Sequence, residues 1–222
     1  MNRKIKDIIR SKMKSREIRI YGTIAGIAIL IGIAGAFLSQ REIVKASELQ
    51  KGIANHIIRF HVLANSDSEE DQALKMKVKE HVIAYMGEML SEGSDLEETK
   101  EQILLHMKEI EEEAKSVVKE QGYSYTVSVS LEWVSFPIKT YGDVTFPSGE
   151  YEALQIKIGA AKGKNWWCVI YPALCFVDVT HAVVPESGKE ELKNVLTEEE
   201  YEVITGGPKI KIKFKFIEDL FR

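Results

Sequence analysis

Residues 125–133 read YTVSVSLEW, a run in which apolar and polar side chains alternate without interruption. A period of two places successive side chains on opposite faces of a β-strand. The run therefore predicts a half-buried strand, with one face against a core and the other in water.

Two segments before this strand repeat their apolar residues with the period of a helix. The first begins after Ser68, which fits a capping box with Asp71 three residues later. The second begins after Ser94 or Asp95 and ends at Gly122, a residue type that commonly terminates helices. We therefore expect two long helices in front of the alternating strand.

Three further segments have the composition of strands: residues 57–64, 151–158 and 166–171. We interpret residues 159–164, between the last two, as a flexible hairpin turn. Strands at hairpin distances pair antiparallel and the long helices come earlier, so the order indicates an α+β fold. The predicted fold is a mainly antiparallel sheet with two long helices packed on one face, preceded by an N-terminal transmembrane or signal helix.

The C-terminal part adds a short helix and another alternating run. Thr197 and Glu200 fit a capping box at the start of the helix. From residue 209 to 216, lysine alternates with isoleucine or phenylalanine. This pattern predicts a last strand whose lysines form a solvated face.

The first 40 residues combine a basic lead with an apolar segment. Residues 1–19 carry eight Lys or Arg and two acids, whereas the rest of the chain has 22 basic and 32 acidic residues, a net of −10. Residues 20–40 carry no charge and are long enough as a helix to span a bilayer. Because basic flanks stay in the cytoplasm, the chain after Gln40 is expected on the other side of the membrane.

These features divide the chain into four parts. They are a basic cytoplasmic segment (1–19), a transmembrane helix or signal sequence (20–40), a connecting segment with a short helix (41–56) and an extracytoplasmic domain (57–222). The small-residue patterns Ala34-Gly35-Ala36 and Val44-Lys45-Ala46 are candidate cleavage sites. The long basic lead argues against cleavage, so the sequence leaves open whether the segment is an anchor or a cleaved signal.

The acidic body argues against nucleic-acid binding, because affinity for phosphate comes mostly from clustered Lys and Arg. The sequence contains no signature of a serine hydrolase, zinc protease, aspartic protease or dinucleotide-binding protein. Cys175, Asp178 and His181 are spaced by three residues, but this spacing in a strand or loop does not preset a metal or nucleophile site. We therefore predict no catalytic residue, no metal or other cofactor and no small-molecule substrate.

The two cysteines, Cys168 and Cys175, both follow the membrane segment and have no other cysteine to pair with. Disulfides persist outside the cytoplasm, and one closing this short loop would stabilise the fold by about 2 to 3 kcal/mol. We therefore favour a disulfide. The alternative is two buried thiols, since cysteine is among the most buried residue types.

Two groups of turn and aromatic residues are candidates for contact with a partner protein. Tight-turn chemistry explains many of them, because Asn and Asp fix turns through local hydrogen bonds. A recognition surface is the alternative, since Trp and Tyr bring large contact area with a polar tip. The candidates are Asn65, Ser66 and Asp67 in the first group, and Lys139, Tyr141, Gly142, Asp143, Asn165, Trp166 and Trp167 in the second.

Residues 59–82 (RFHVLANSDSEEDQALKMKVKEHV) and 136–178 (FPIKTYGDVTFPSGEYEALQIKIGAAKGKNWWCVIYPALCFVD) resemble the stage II sporulation protein R family. The strings ANSDS-x-x-DQALK, KTYGD, P-x-GEYEAL and NWWC-V are long and specific. The resemblance covers residues 57–178, over half of the chain, and leaves 182–222 without a matching motif. Members of this family are exported signalling proteins of endospore formers.

The resemblance implies a protein made in the forespore and exported into the space between the two membranes. There it would activate, by contact, a membrane-embedded aspartic protease that cleaves the precursor of sigma factor E. One competing hypothesis is an extracytoplasmic hydrolase acting on cell-wall material, for which Asp178, His181 or an acidic pair would be the catalytic residues. Another is a passive membrane-anchored component whose loops are only turns.

Overall fold

The computed structural model describes residues 3–90, 95–176 and 184–206. The chain divides into two compact units, which meet in sequence between Glu48 and Leu49. The second unit contains the sheet and its covering layers, and it holds the candidate residues discussed below.

Helix α1 (Arg3–Asn55) contains the basic lead, the apolar segment and the connecting segment in one element. Residues 41–55 are helical as expected, but they continue α1 without a break through a stretch that lacks proline and form no separate short helix. Within the described residues, Gly26–Asn55 is the one helical segment long and apolar enough to cross a membrane, with a mean hydropathy of 1.6. This agrees with the predicted signal sequence or membrane anchor.

The remaining elements are one strand, three helices, five strands and a C-terminal group of helices among the described residues. In chain order they are β1 (Ile58–Leu63), α2 (Glu69–Met89), α3 (Leu96–Leu105), α4 (Met107–Glu120), β2 (Val127–Phe136), β3 (Lys139–Tyr141), β4 (Val144–Phe146), β5 (Gly149–Ile158), β6 (Asn165–Tyr171), a 3-10 turn (Leu174–Phe176), α5 (Glu186–Val195) and α6 (Glu198–Thr205). The predicted α+β class is confirmed.

The main sheet has the strand order β2-β5-β1-β6. β5 pairs antiparallel with β2 and parallel with β1, and β1 pairs antiparallel with β6. The sheet is therefore mixed, with one parallel pairing that the sequence analysis did not predict.

The hairpin assigned to residues 159–164 is wrong, because β5 and β6 are not neighbours. β1 lies between them. Five of its six residues are fully buried, and a strand with such a pattern is favoured at the centre of a sheet, where both its edges and both its faces are covered. β1, the first strand of the domain, thus lies between β5 and β6, the last two described strands.

The two faces of the sheet pack against different layers. On the helix face, apolar side chains such as Phe60 and Leu154 pack with residues of α2 and α4. On the opposite face, here called the hairpin face, Tyr151 and Val169 lie in a second core with residues of the β3–β4 hairpin, the end of α1, α5 and α6. The second face thus has a cover of its own, which the sequence analysis did not predict.

Two of the predicted helix caps are present in the structure. Ser68 caps α2, and Thr197 forms a reciprocal capping box with Glu200 at α6. The second long helix is interrupted at His106, which separates α3 from α4. The β3–β4 hairpin and α5 were not predicted, and the expected strand at 209–216 lies outside the described residues.

The connection from β5 to β6 is fastened to the turn after β1. The amides of Gly163 and Lys162 donate to the carbonyls of Ala64 and Asn65, at 2.9 and 3.2 Å. The Asn65 side chain accepts from the amide of Ala160 at 2.9 Å. A Cβ at Gly163 would overlap the carbonyl oxygen of Ser66, so this close approach requires glycine.

Gly163→Ala is therefore expected to destabilise the second unit by about 2 kcal/mol, because the two backbone segments must separate. Denaturant unfolding of the full chain in detergent, followed by tryptophan fluorescence, measures the change. Gly122→Ala is the control, since Gly122 has a φ of +80° but open space at its Cβ position. Gly163 does not have a positive φ, so any loss in Gly163→Ala reports the Ser66 contact, whereas the loss in Gly122→Ala reports the cost of a positive φ alone. An unchanged stability of Gly163→Ala would contradict the requirement for glycine at this position.

Candidate partner-contact surface

The first group of predicted contact residues, Asn65, Ser66 and Asp67, forms a structural turn. The carboxylate of Asp71 accepts from the Asn65 amide at 2.8 Å and from the Ser66 hydroxyl at 2.5 Å. These bonds lower the pKa of the buried Asp71 carboxyl. Asp67 accepts from the amide of Lys164 at 2.6 Å. The polar groups of this turn are used to hold the chain together, which favours the turn interpretation over recognition here.

The two adjacent tryptophans point to opposite faces of the sheet. Trp166 lies on the helix face, where its ring meets Phe60 edge-on at 5.7 Å and the Lys79 ammonium lies 5.2 Å from its centroid. Trp166 thus packs against the core under α2. The predicted contact with a partner protein stays a prediction for Trp166, and its packing against the core does not favour that role.

Trp167 lies on the hairpin face at the outer strand of the sheet. Its ring stacks on the imidazole of His61 at 4.8 Å and meets Phe136 at 4.6 Å. The ammonium of Lys139 lies 5.4 Å from the centre of the same ring. Two of the predicted contact residues, Lys139 and Trp167, are thus brought together although they are far apart in sequence.

The strand register extends this group across the sheet. His61 is opposite Trp167 on β6 and opposite Gln155 on β5. In the next row of the same face, Lys157, Leu63 and Asn165 lie side by side. We call five of these residues, together with the neighbouring Lys139, the polar patch: His61, Gln155, Lys157, Asn165, Trp167 and Lys139.

The polar patch contains buried polar atoms that have no hydrogen-bond partner among the residues that the structure describes. They are both ring nitrogens of His61, Oε1 of Gln155 and Oδ1 of Asn165. His61 and Gln155 are each only 4% exposed. An unpaired buried polar atom costs about 1 to 3 kcal/mol, so this concentration on one surface marks the patch as unusual.

Burial lowers the pKa of His61 to about 4, and the positive charges of Lys157 and Arg59 act in the same direction. The carboxylate of Glu132 opposes them. His61 is therefore neutral near pH 7, with one ring nitrogen as donor and the other as acceptor.

Arg59 lies fully buried on the same face, two residues before His61. Its Nε donates to the carbonyl of Cys168 at 3.2 Å, and its Nη2 donates to the hydroxyl of Tyr141 at 3.1 Å. The rings of Phe136, Phe146 and Tyr151 lie 4.4 to 5.0 Å from its guanidinium carbon. In the described part of the chain, Nη1 has no hydrogen-bond partner and no carboxylate forms an ion pair with Arg59.

The predicted contact residues of the β3–β4 turn have structural bonds as well. Burial raises the pKa of Tyr141, whose neutral hydroxyl takes the bond from Arg59. Gly142 has a φ of +56°, which a tight turn requires. Asp143 accepts from the amide of Val184 at 3.0 Å and forms an ion pair with Lys189 at 2.8 Å, and the Lys189 bond lowers its pKa. This turn is thereby attached to α5.

The cysteines of the predicted disulfide, Cys168 and Cys175, are both free thiols in the structure. Burial and the neighbouring Cys168 thiol raise the pKa of the Cys175 thiol. The structure thus corresponds to the alternative of two shielded thiols. Their proximity keeps oxidation as a prediction.

The residues of the competing catalytic hypothesis, Asp178 and His181, lie outside the described residues. In the ranges the structure describes, no group of three or more His, Cys, Asp and Glu side chains is arranged to hold a metal.

Comparison with known proteins assigns the chain to a family. Residues 54–181 match the family model described as Stage II sporulation protein R. The chain belongs to the stage II sporulation protein R family. A relative of that name from Bacillus subtilis (strain 168) is 36% identical over 183 residues, which cover 81% of this chain and 82% of the relative. No solved structure matches the chain.

Family membership supports a role in sporulation. The matched residues contain all six described strands and the whole polar patch. His61, Gln155 and Lys157 were not among the predicted contact residues. The residues around them have the composition of ordinary strands, which gives no indication of a contact surface. The one available signal was a histidine inside an otherwise apolar run, at residues 57–64.

We expect the free energy of unfolding of the second unit to fall as the pH drops from 6.5 to about 4. In this range His61 is protonated in the unfolded chain but stays neutral in the folded one, because its pKa is lowered by burial. Above pH 6.5 the residue is neutral in both states and the full stability is present. The difference between the two pKa values, about 2.5, corresponds to about 3 kcal/mol.

Unfolding by urea at a series of pH values, for the wild type and His61→Gln, measures this contribution. Between pH 6.5 and 4, the free energy of unfolding should fall less steeply with pH in the variant than in the wild type. Below pH 4, where carboxylates are protonated, the two proteins should show the same dependence. Identical slopes in the two proteins would contradict the buried neutral state of His61.

Cys168 and Cys175 are expected to be oxidised to a disulfide in protein recovered from the exported compartment without reductant. Alkylation under denaturing conditions followed by intact-mass measurement should then add no label, whereas the same sample treated with reductant should add two. Two labels without reductant would show that the thiols seen in the structure are also the state in the cell.

Proposed function

We propose that this chain is an exported signalling protein of sporulation that activates a membrane-embedded aspartic protease by protein–protein contact. The protease in turn cleaves the precursor of sigma factor E. The chain is made in the forespore and acts in the space between the two membranes, either anchored by α1 or released after cleavage. It acts by binding and carries out no catalytic step itself.

Export is supported by the N-terminal region. The basic lead carries eight Lys or Arg, and an apolar helical segment follows it. This arrangement holds the lead in the cytoplasm and sends the second unit across the membrane.

Contact is supported above all by the polar patch. Trp167 and Lys139 lie at the surface, partly exposed, beside buried polar atoms that have no partner in the described part of the chain. Aromatic residues at the centre of a surface contribute a large share of binding energy in protein complexes. The other aromatic contact candidates, Trp166 and Tyr141, are occupied in packing or internal hydrogen bonds.

Trp167→Ala is expected to reduce activation of the protease while the protein stays folded. Loss of a contact tryptophan costs about 2 kcal/mol or more, which weakens binding about 30-fold. The measurement is cleavage of the sigma factor E precursor in sporulating cells, with the amount of each variant determined in parallel.

Trp133→Ala is the matched control, since Trp133 is 52% exposed but lies on the opposite face of the sheet. It should leave cleavage unchanged. Trp166→Ala should lower stability instead, because its ring packs on the core. Normal cleavage with Trp167→Ala and lost cleavage with Trp133→Ala would place the contact on the other face.

A further inference from the structure

The polar patch is positively charged on a body that is otherwise acidic. The chain after residue 19 has a net charge of −10, yet the hairpin face carries Lys139 and Lys157 at its surface and Arg59 buried beneath. Among the described residues, Glu132 is the carboxylate that acts on His61. The nearby Asp143 and Lys189 pair with each other. The local sign of the charge is thus opposite to that of the whole domain.

The positive charges of the patch are weakly neutralised. Glu132 approaches Lys157 at 3.3 Å, but both side chains are more than 40% exposed, and such solvated pairs contribute about 0 to 1 kcal/mol. Arg59 has no ion pair among the described residues, and its Nη1 donates to nothing there. Lys139 contacts the face of Trp167.

The patch also has unused hydrogen-bonding groups. Within residues 3–90, 95–176 and 184–206, the His61 ring has a donor and an acceptor without partners, and Oε1 of Gln155 and Oδ1 of Asn165 are acceptors without donors. These atoms are buried, so a partner reaches them only when the side chains that cover them shift. An extended backbone, which has a donor and an acceptor at each residue, then matches both kinds of group. A carboxylate side chain matches the lysines.

We propose that the polar patch binds an extended, carboxylate-bearing segment of the protease partner, with an Asp or Glu side chain placed between Lys139 and Lys157 beside Trp167. This rests on the proposed function, whose contact surface it specifies. The incoming carboxylate replaces Glu132 as the partner of Lys157. The Trp167 ring supplies the apolar contact and excludes water from the charged groups.

The cellular test uses charge reversal. Lys139→Glu with Lys157→Glu should lower cleavage of the sigma factor E precursor at least ten-fold. Lys108→Glu with Lys119→Glu makes the same change in net charge on exposed residues of α4, away from the patch, and should leave cleavage unchanged. Normal cleavage in the first double variant would overturn the proposal.

A second measurement uses two synthetic peptides of the same length, one with repeated Ser-Glu-Gly units and one with Ser-Gln-Gly units. Fluorescence anisotropy of the labelled peptides is recorded with the full chain in detergent micelles. The glutamate peptide should bind at least ten-fold more tightly than the glutamine peptide. The Lys139→Glu, Lys157→Glu variant should lose this difference and the α4 variant should keep it. Equal binding of the two peptides to the wild type would overturn the carboxylate assignment.

The experiments distinguish a failure of the carboxylate preference from a failure of the proposed contact with the protease. If Trp167→Ala abolishes cleavage but the charge reversals and peptides have no effect, the contact surface stands and its preference for carboxylates is wrong. If the peptides bind as expected but neither Trp167→Ala nor the charge reversals change cleavage, the patch binds carboxylates and the protease is not its partner.

Discussion

The second unit depends on the burial of β1 between two strands and between two layers. Its helix face is apolar, with Phe60 and Val62 completing the core under α2 and α4. Its other face carries Arg59 and His61, two side chains that prefer water. A central strand with one polar face must have those groups compensated by its surroundings, because burying an unpaired charge or polar atom is costly.

The surroundings compensate the two residues unequally. Arg59 has two hydrogen bonds and several aromatic rings around its guanidinium, to which the β3–β4 hairpin contributes Tyr141 and Phe146. The hairpin in turn is held against α5 through Asp143. Among the described residues, His61 has ring contacts with Trp167 and Phe136 but no hydrogen bond. The difference explains why the hairpin side of this face is a core, while the patch around His61 retains features of a binding surface.

Local signals in the sequence predicted local structure well. The alternation at residues 125–133 corresponds to β2, and the caps at Ser68 and Thr197 begin α2 and α6 as expected. Strand order was not predictable in the same way, because nothing within 159–164 indicates that β1 lies between the strands on either side. That insertion follows from the burial of β1, which is a property of the assembled sheet.

The candidate site shows the same limit. Composition selected Lys139, Asn165 and Trp167, which lie together on the hairpin face. It also selected Asn65, Tyr141 and Asp143, whose polar groups are engaged in internal bonds. Turn residues and contact residues have the same chemistry, and only their partners separate them. His61 and Gln155 become visible as candidates only when the register places them side by side without partners.

The opposite orientation of Trp166 and Trp167 makes β6 sensitive to the length of the chain that leads into it. One inserted or deleted residue in the connection would exchange the two rings between the core and the patch. The tight junction of Gly163 with Ser66 fixes that length at the start of the strand. The contact between Gly163 and Ser66 thereby determines which of the two tryptophan rings faces the patch. Homologues with a loop of different length would need a second change that restores the register of β6.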